Sequence, residues 1–545
     1  MIINLLKSIG MIEFRMAAAS AELPDDVDLL KAMLRAERAE RDTLIAEFEK
    51  KLGWAEEKYR AMEMRYFGRT SEQYRPEEGK QNRLFDEAEE HASEMAPPVE
   101  LTVHVPAHDR AKRGRKTKPV ATQRIEILHD LSDDEKRCPC CGETRPSIGE
   151  QRTSEYDLVP AHVVERVHIM KKYGPCACEA FATSGLPTIA ATPGPAKIIP
   201  GSDFTNRTTA FFMTAKYADA IPFYRMEKML ARDGLVVSRA TLCNQAVAIG
   251  RAIGDLIDSM ARDIRSSPVI LMDETTVQVL KDERDPPGRK SYMWLSRGYC
   301  DRKPIHLFRY HATRSGEFAA KLLVGYQGYL QTDGYSGYNR IGESPGIVHV
   351  GCFAHIRRKF HEAWQTAEKT GIANEALGII HKLYGVEAEW RARFDAGTID
   401  SATFVAKRRG LVDPIVVEFR DWLDRATRSV APQSALGKAV AYAVGQLDRA
   451  VRFVDHELLT PDTNAAENAI RPFVVGRKNW LFSGTPLGAH ASAGIYSIIE
   501  TAKANGHEPF KYLAYLFEKL PLCATAEERE ALLPYRLSTS DYAEK

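Results

Sequence analysis

Between residues 268 and 366 the chain alternates runs suited to a sheet with runs suited to helices, and this alternation restricts the fold more than any other feature. SPVILMDETTVQVL, RKSYMWLSRGY and PIHLFRYHA are three successive strand-like runs, rich in β-branched and aromatic residues. A helical run, SGEFAAKLLVGY, follows. Next comes the strand GYLQTDGYSGYN, then the strand GIVHVGC running into the helix FAHIRRKFHEAWQ. The order β-β-β-α-β-α-β-α predicts a mixed sheet flanked by helices.

Two acids stand where such a sheet would gather them. Asp273 closes the apolar run VILM, where a carboxylate is costly unless paired, hydrogen-bonded or metal-bound. Asp333 follows GYLQT and precedes Gly334. With the first and fourth strands as neighbours, as in a ribonuclease-H-like core, both would meet at one sheet edge. A third acid, Glu467, lies in DTNAAENAIRP. Asp462 or Thr463 is expected to cap its helix, with Pro472 limiting continuation. Three carboxylates suit two Mg²⁺ or Mn²⁺ ions and phosphodiester chemistry. Taken singly, Asp-Gly is also a common turn, and acids are common at strand ends.

The rest of the chain divides around this core. Residues 24–66 carry a heptad-like apolar seam, read as a coiled coil pairing two protomers, or as a helix packed on its own protein. Residues 67–120 are a linker whose basic part includes Arg113, Arg115 and Lys116, suited to phosphates or to solvent. In residues 121–185, CPCCGE and YGPCACE present Cys138, Cys141, Cys176 and Cys178 as ligands of a structural Zn²⁺ ribbon, with Cys140 and His168 as substitutes. The alternative is buried, unmetallated cysteines. Residues 205–262 read as helix, turn at Gly234, cap at Ser238 and helix, a helix-turn-helix pattern that would read DNA through Arg239, Thr241 and Asn244 or simply pack as a helical core. Residues 367–458 form a helical insertion, 459–485 the helix completing the core, and 486–545 a helical tail.

Composition excludes some classes. There is no apolar run of about 18 residues or more, so no membrane span is expected. The nine cysteines are too sparse for a disulfide framework and fit a cytoplasmic protein with one metal site. The formal net charge is only +1, so any nucleic-acid contact must come from local clusters. Two such clusters flank the acids: His355, Arg357, Arg358 and Lys359, and Arg471, Arg477 and Lys478.

These blocks, in this order, resemble the insertion sequence 66 transposases over nearly the whole chain. The resemblance is carried by RYFGRTSEQY, the CPCCG knuckle, EYDLVPA, AKYADAIPFYRMEKMLARDG, DET at Asp273, QTDGYSGYN at Asp333, GCFAHIRRKF and AENAIRPFVVGRKNWLFSG. It implies that Asp273, Asp333 and Glu467 are a metal-binding catalytic triad. It also implies action on the inverted ends of a mobile element and on target DNA, with small accessory proteins. Three departures stand out: Thr463 where the family usually has Asn, Asn468 where it usually has Arg, and Pro175 where a cysteine is usual. An attenuated DNA-binding regulator and a plain nuclease are the competing expectations.

Overall fold

The computed structural model describes residues 163–173, 190–191, 193–282, 290–367 and 371–542, together with scattered helical positions between 27 and 59. The cysteines Cys138, Cys141, Cys176 and Cys178 and the basic residues Arg113, Arg115 and Lys116 lie outside the described residues. Most of the predicted seam does too; of its described members Val27, Leu52 and Tyr59 are exposed and Ala55 is half-buried. His168 is exposed, in a stretch without regular secondary structure.

The centre is a five-stranded sheet. Its strands are β1 (Val269–Gln278), β2 (Lys290–Cys300), β3 (Lys303–His311), β4 (Gly328–Gln331) and β5 (Ile347–Val350). The spatial order is β3-β2-β1-β4-β5. The first three strands form an antiparallel meander, and β4 and β5 add in parallel beyond β1. The apolar run of β1 continues past its acid. Asp273 is therefore the fifth residue of a ten-residue strand, not its end as the sequence suggested. The threonines and valine after it keep β-propensity high, so pairing with β2 persists to Gln278. The fourth strand, conversely, is shorter than expected. It stops at Gln331, and the chain turns through a 3₁₀ segment and one helical turn before β5.

Directly before the sheet, among the described residues, come the helices α1 (Asn206–Tyr217), α2 (Phe223–Arg232), α3 (Arg239–Ala252) and α4 (Gly254–Arg265). Gly234 adopts φ +87° in the turn between α2 and α3, and the Ser238 hydroxyl caps α3 by accepting from Thr241 N–H. A short helix, α5 (Gly316–Leu322), joins β3 to β4, and α6 (Phe353–Thr366) follows β5. Three long helices then intervene: α7 (Ala373–Asp395), α8 (Ser401–Ser429) and α9 (Ala435–Ala450). The chain returns in α10 (Asn464–Trp480), α11 (Pro486–Ala504) and α12 (Pro509–Lys519).

α11 protects an edge of the sheet. Among the described residues β3 has no strand partner on its outer side, and an open edge invites unwanted pairing. Here Phe308 N–H donates to Ser497 Oγ at 2.8 Å and His306 N–H to Thr501 Oγ1 at 2.9 Å. The helix thus supplies hydroxyls where a sixth strand would supply carbonyls. Among the described residues no helix is long and apolar enough to cross a membrane.

Candidate active site

The register of β1 and β4 brings two acids together. Leu271 is the parallel partner of Gln331, so Asp273, on β1, and Asp333, two residues past the end of β4, stand equally far beyond that pair. α10 brings the third. Glu467, Ile470, Arg471 and Val474 recur at spacings of three and four on one helical face, and all four line the same cavity as the two aspartates. This cavity measures about 340 Å³, and its wall also includes Glu274, His355, Arg358 and Thr463. A larger cleft of about 600 Å³, bordered by Lys197, Asp255, Pro521 and Arg529, contains none of the predicted site residues.

Each acid is held by a neighbour that leaves oxygen lone pairs open. Glu274 N–H donates to Asp273 Oδ1 at 2.8 Å, and Tyr335 N–H donates to Asp333 Oδ1 at 3.0 Å. The Thr463 hydroxyl lies 3.4 Å from both Glu467 Oε1 and Cys352 Sγ. Among the described residues none of these three acids forms an ion pair, in contrast to Glu274. The guanidinium of Arg314 bonds Glu274 at 2.6 Å, stacks 3.8 Å over the Tyr335 ring, and shares Glu274 with the Tyr338 hydroxyl. Burial pushes the Asp273 carboxyl up to about 7, with the charges of Glu274, Glu467 and Asp333 adding to it against the Glu274 amide.

By chemical type the three carboxylates are the oxygen donors that a hard divalent cation takes. Three carboxylates without cationic partners, one of them raised by burial and by the others, are the groups whose charge such an ion would offset. Among the described residues no three His, Cys, Asp or Glu side chains stand close enough together to hold a metal ion as they are placed in this structure.

The predicted cations separate into two sets. His355 and Arg358, three apart on α6, line the pocket with Arg471, whereas Arg357 and Lys359 do not. Lys359 pairs with Glu362 at 3.4 Å. Arg477 is turned onto β1, where it bonds the hydroxyls of Thr275 and Thr276 at 3.1 and 2.9 Å. Lys478 is exposed at the far end of α10. Arg239 lies exposed at the start of α3, its amide bonded to Glu227, and is not part of the pocket wall.

Several residues of the site were not anticipated. A Cβ on Gly334 would collide with the Tyr442 hydroxyl of α9, so this glycine serves close approach rather than an unusual backbone angle. Gln331 Nε2 donates to Thr460 O at 2.7 Å, and Phe353 N–H donates to Pro461 O at 2.7 Å. These bonds fix the segment leading into α10. In that helix Pro472 does not end the run as expected; α10 continues to Trp480. Burial of Ile470, Phe473 and Gly476 on both sides of the proline offsets the lost backbone bond.

The fold and this site define a mixed α/β protein whose one large sheet and a later helix converge on an acid-centred, cation-rimmed pocket. The chain belongs to the IS66 family of transposases. The family model described as "Transposase IS66 family" matches residues 201–491, and that of the "IS66 C-terminal element" matches residues 497–535. The chain is also 27% identical over 550 residues to the uncharacterized protein y4qI of Sinorhizobium fredii, covering 94% of this chain and 98% of that protein. A second uncharacterized protein of that organism, y4jD, is 27% identical over 441 residues, covering 76% and 81% of the two chains.

Proposed function

We propose that the protein binds the inverted ends of its insertion sequence and catalyses DNA strand cleavage and strand transfer, with Asp273, Asp333 and Glu467 as the catalytic acids. The observation that carries this reading is the single pocket shared by three acids from distant parts of the sequence and rimmed by His355, Arg358 and Arg471. The strand order β3-β2-β1-β4-β5, with one acid on β1 and another just past the end of its neighbour β4, supports a ribonuclease-H-like core.

Asp273, Asp333 and Glu467 would hold Mg²⁺ or Mn²⁺, which supplies nucleophile activation and leaving-oxygen stabilisation when bound. The remaining work falls to the chain itself. Arg358 and Arg471 hold the phosphates flanking the reacting bond, and α10 carries Glu467 to the two strands. Positioning of this kind dominates phosphoryl transfer, because no covalent enzyme group is needed. Arg314 neutralises Glu274, so that the neighbouring acid does not compete with Asp273 for a cation. The four cysteines Cys138, Cys141, Cys176 and Cys178 would bind a structural Zn²⁺, and the N-terminal helix would pair protomers. Arg113, Arg115, Lys116 and Arg239 would add DNA contacts outside the pocket, with small accessory proteins of the same element as further partners.

The test is a joining assay with labelled DNA carrying the element's end and a free 3′-hydroxyl, a plasmid target and Mg²⁺ or Mn²⁺. Wild-type protein should join the label to the plasmid, and Glu467→Gln should bind the DNA without joining it. Cleaved ends with no joined product would identify a nuclease. Binding without any chemistry by the wild type, even with its accessory proteins, would identify a regulator.

A further inference from the structure

The connection between α10 and α11 carries a feature that the pocket does not use. Leu481 has φ +68° and ψ −49°, and Phe482 N–H donates back to Trp480 O at 2.9 Å. This is the γ-turn of positive φ, a rare and strained conformation for a residue with a side chain. The strain is held in place from several directions. Ser483 N–H donates to Gln278 O at 2.9 Å, Leu280 N–H to Ser483 O at 3.0 Å and Lys281 N–H to Gly484 O at 3.1 Å. Asn479 Nδ2 donates to Ala220 O at 3.1 Å, and Thr485 caps α11.

What this rigid turn displays is apolar. Leu481 is 64% exposed and Phe482 43%, and Leu280 and Leu487 beside them are exposed as well. Trp480, by contrast, packs edge-on against Phe473 inside the helix end. A strained backbone fixed by a small ladder, holding two large apolar side chains in solvent, is the reverse of what stability alone would select. The surroundings indicate the partner. Between Glu467 and Glu500 the sequence has no acid, and its Arg and Lys residues there are Arg471, Arg477 and Lys478, all three preceding the turn.

We propose that Leu481 and Phe482 form a wedge that enters the base stack of the bound DNA end and receives an unpaired base. This inference rests on the transposase reading. Both α10 and β1 run from the acids towards the turn. At 1.5 Å per helical residue and 3.3 Å per strand residue, either path covers about 20 Å. With 3.4 Å per nucleotide, the disturbed base lies about six positions from the reacting bond. Apolar side chains placed between base steps unstack them, and an aromatic face accepts any base without sequence preference.

The experiment uses full-length protein without added metal and a 40-base-pair duplex from the element's own end. The fluorescent base 2-aminopurine is placed in turn at each of the last ten positions. Wild-type protein should brighten one position, about six nucleotides from the end. Leu481→Ala and Phe482→Ala should abolish the brightening. Phe482→Ala should weaken binding about 5- to 150-fold, the span of losing one base–aromatic stack, while the salt dependence stays unchanged. Leu481→Gly should raise the Tm of the free protein by relieving the turn, yet lose the brightening as Leu481→Ala does. Bound duplex with no bright position, or brightening that persists in the double alanine variant, would overturn the wedge alone. So would a change in oligomeric mass of the variants without any fluorescence difference, which would assign the surface to contacts between copies. Failure of the wild type to bind the duplex at all would overturn the transposase reading and the wedge with it.

Discussion

At Asp273, burial and charge act in the same direction. Its carboxyl moves from the ordinary 3.8 up to about 7, through burial first and then Glu274, with Glu467 and Asp333 adding smaller contributions. The folded chain therefore binds this proton more tightly than the unfolded chain does. The stability so gained is fully present below about pH 4 and is lost as the pH rises through 7. The loss is at most about 4 kcal/mol for a shift of this size. In metal-free protein, Asp273→Asn should remove this component, so that its Tm exceeds that of the wild type above pH 7 and the gap closes towards pH 4. Two melting curves that stay parallel across that range would show that the folded chain binds the Asp273 proton no more tightly than the unfolded chain does. The acid itself was legible as a carboxylate following VILM. The neutralisation of Glu274 was not, because Arg314 and Tyr338 reach it from other elements and local sequence carries no trace of that pairing.

Among the elements, the helical insertion does more than separate the sheet from α10. Arg391 and Arg408 reach from α7 and α8 to the carbonyls of His456, Glu457 and Leu459, at 2.8 Å for His456 and 2.7 Å for the shorter Leu459 bond. Glu387 neutralises them inside the protein. Gln331 takes the next carbonyl, Thr460, from the sheet side. The chain before Glu467 is thereby held between insertion and sheet. Arg408→Ala leaves Glu387 with reduced compensation in a buried setting and should cost about 3–5 kcal/mol in urea unfolding. Gln331→Leu removes the donor from the carbonyls of Thr460 and, at longer range, Gly351, and should cost about 1–3 kcal/mol. It should also slow joining without changing DNA affinity; equal losses in both would make the bond a general folding contact. The strands that form this frame were legible because β-branched and aromatic residues cluster in short runs. The length of α10 was not, because Pro472 signals a stop that only the tertiary burial of Ile470 and Phe473 overrides.

For the whole molecule, a net charge of +1 means that no global field draws in DNA, so attraction must be local. The match to y4qI over 94% of this chain and 98% of that protein extends the similarity well beyond the pocket. Within the pocket wall, Arg471 faces the acids and is exposed, whereas Lys359 lies off the wall and pairs with Glu362. Each phosphate neutralised contributes about 0.9 to the slope of log affinity against log salt. Arg471→Gln should therefore reduce that slope by about 0.9, and Lys359→Gln should leave it unchanged. Equal reductions from both would mean that DNA is held by diffuse surface charge, and the pocket would lose its claim to the scissile phosphate. A loss confined to Arg471→Gln, accompanied by slower joining, would tie binding and chemistry to the same wall of the sheet.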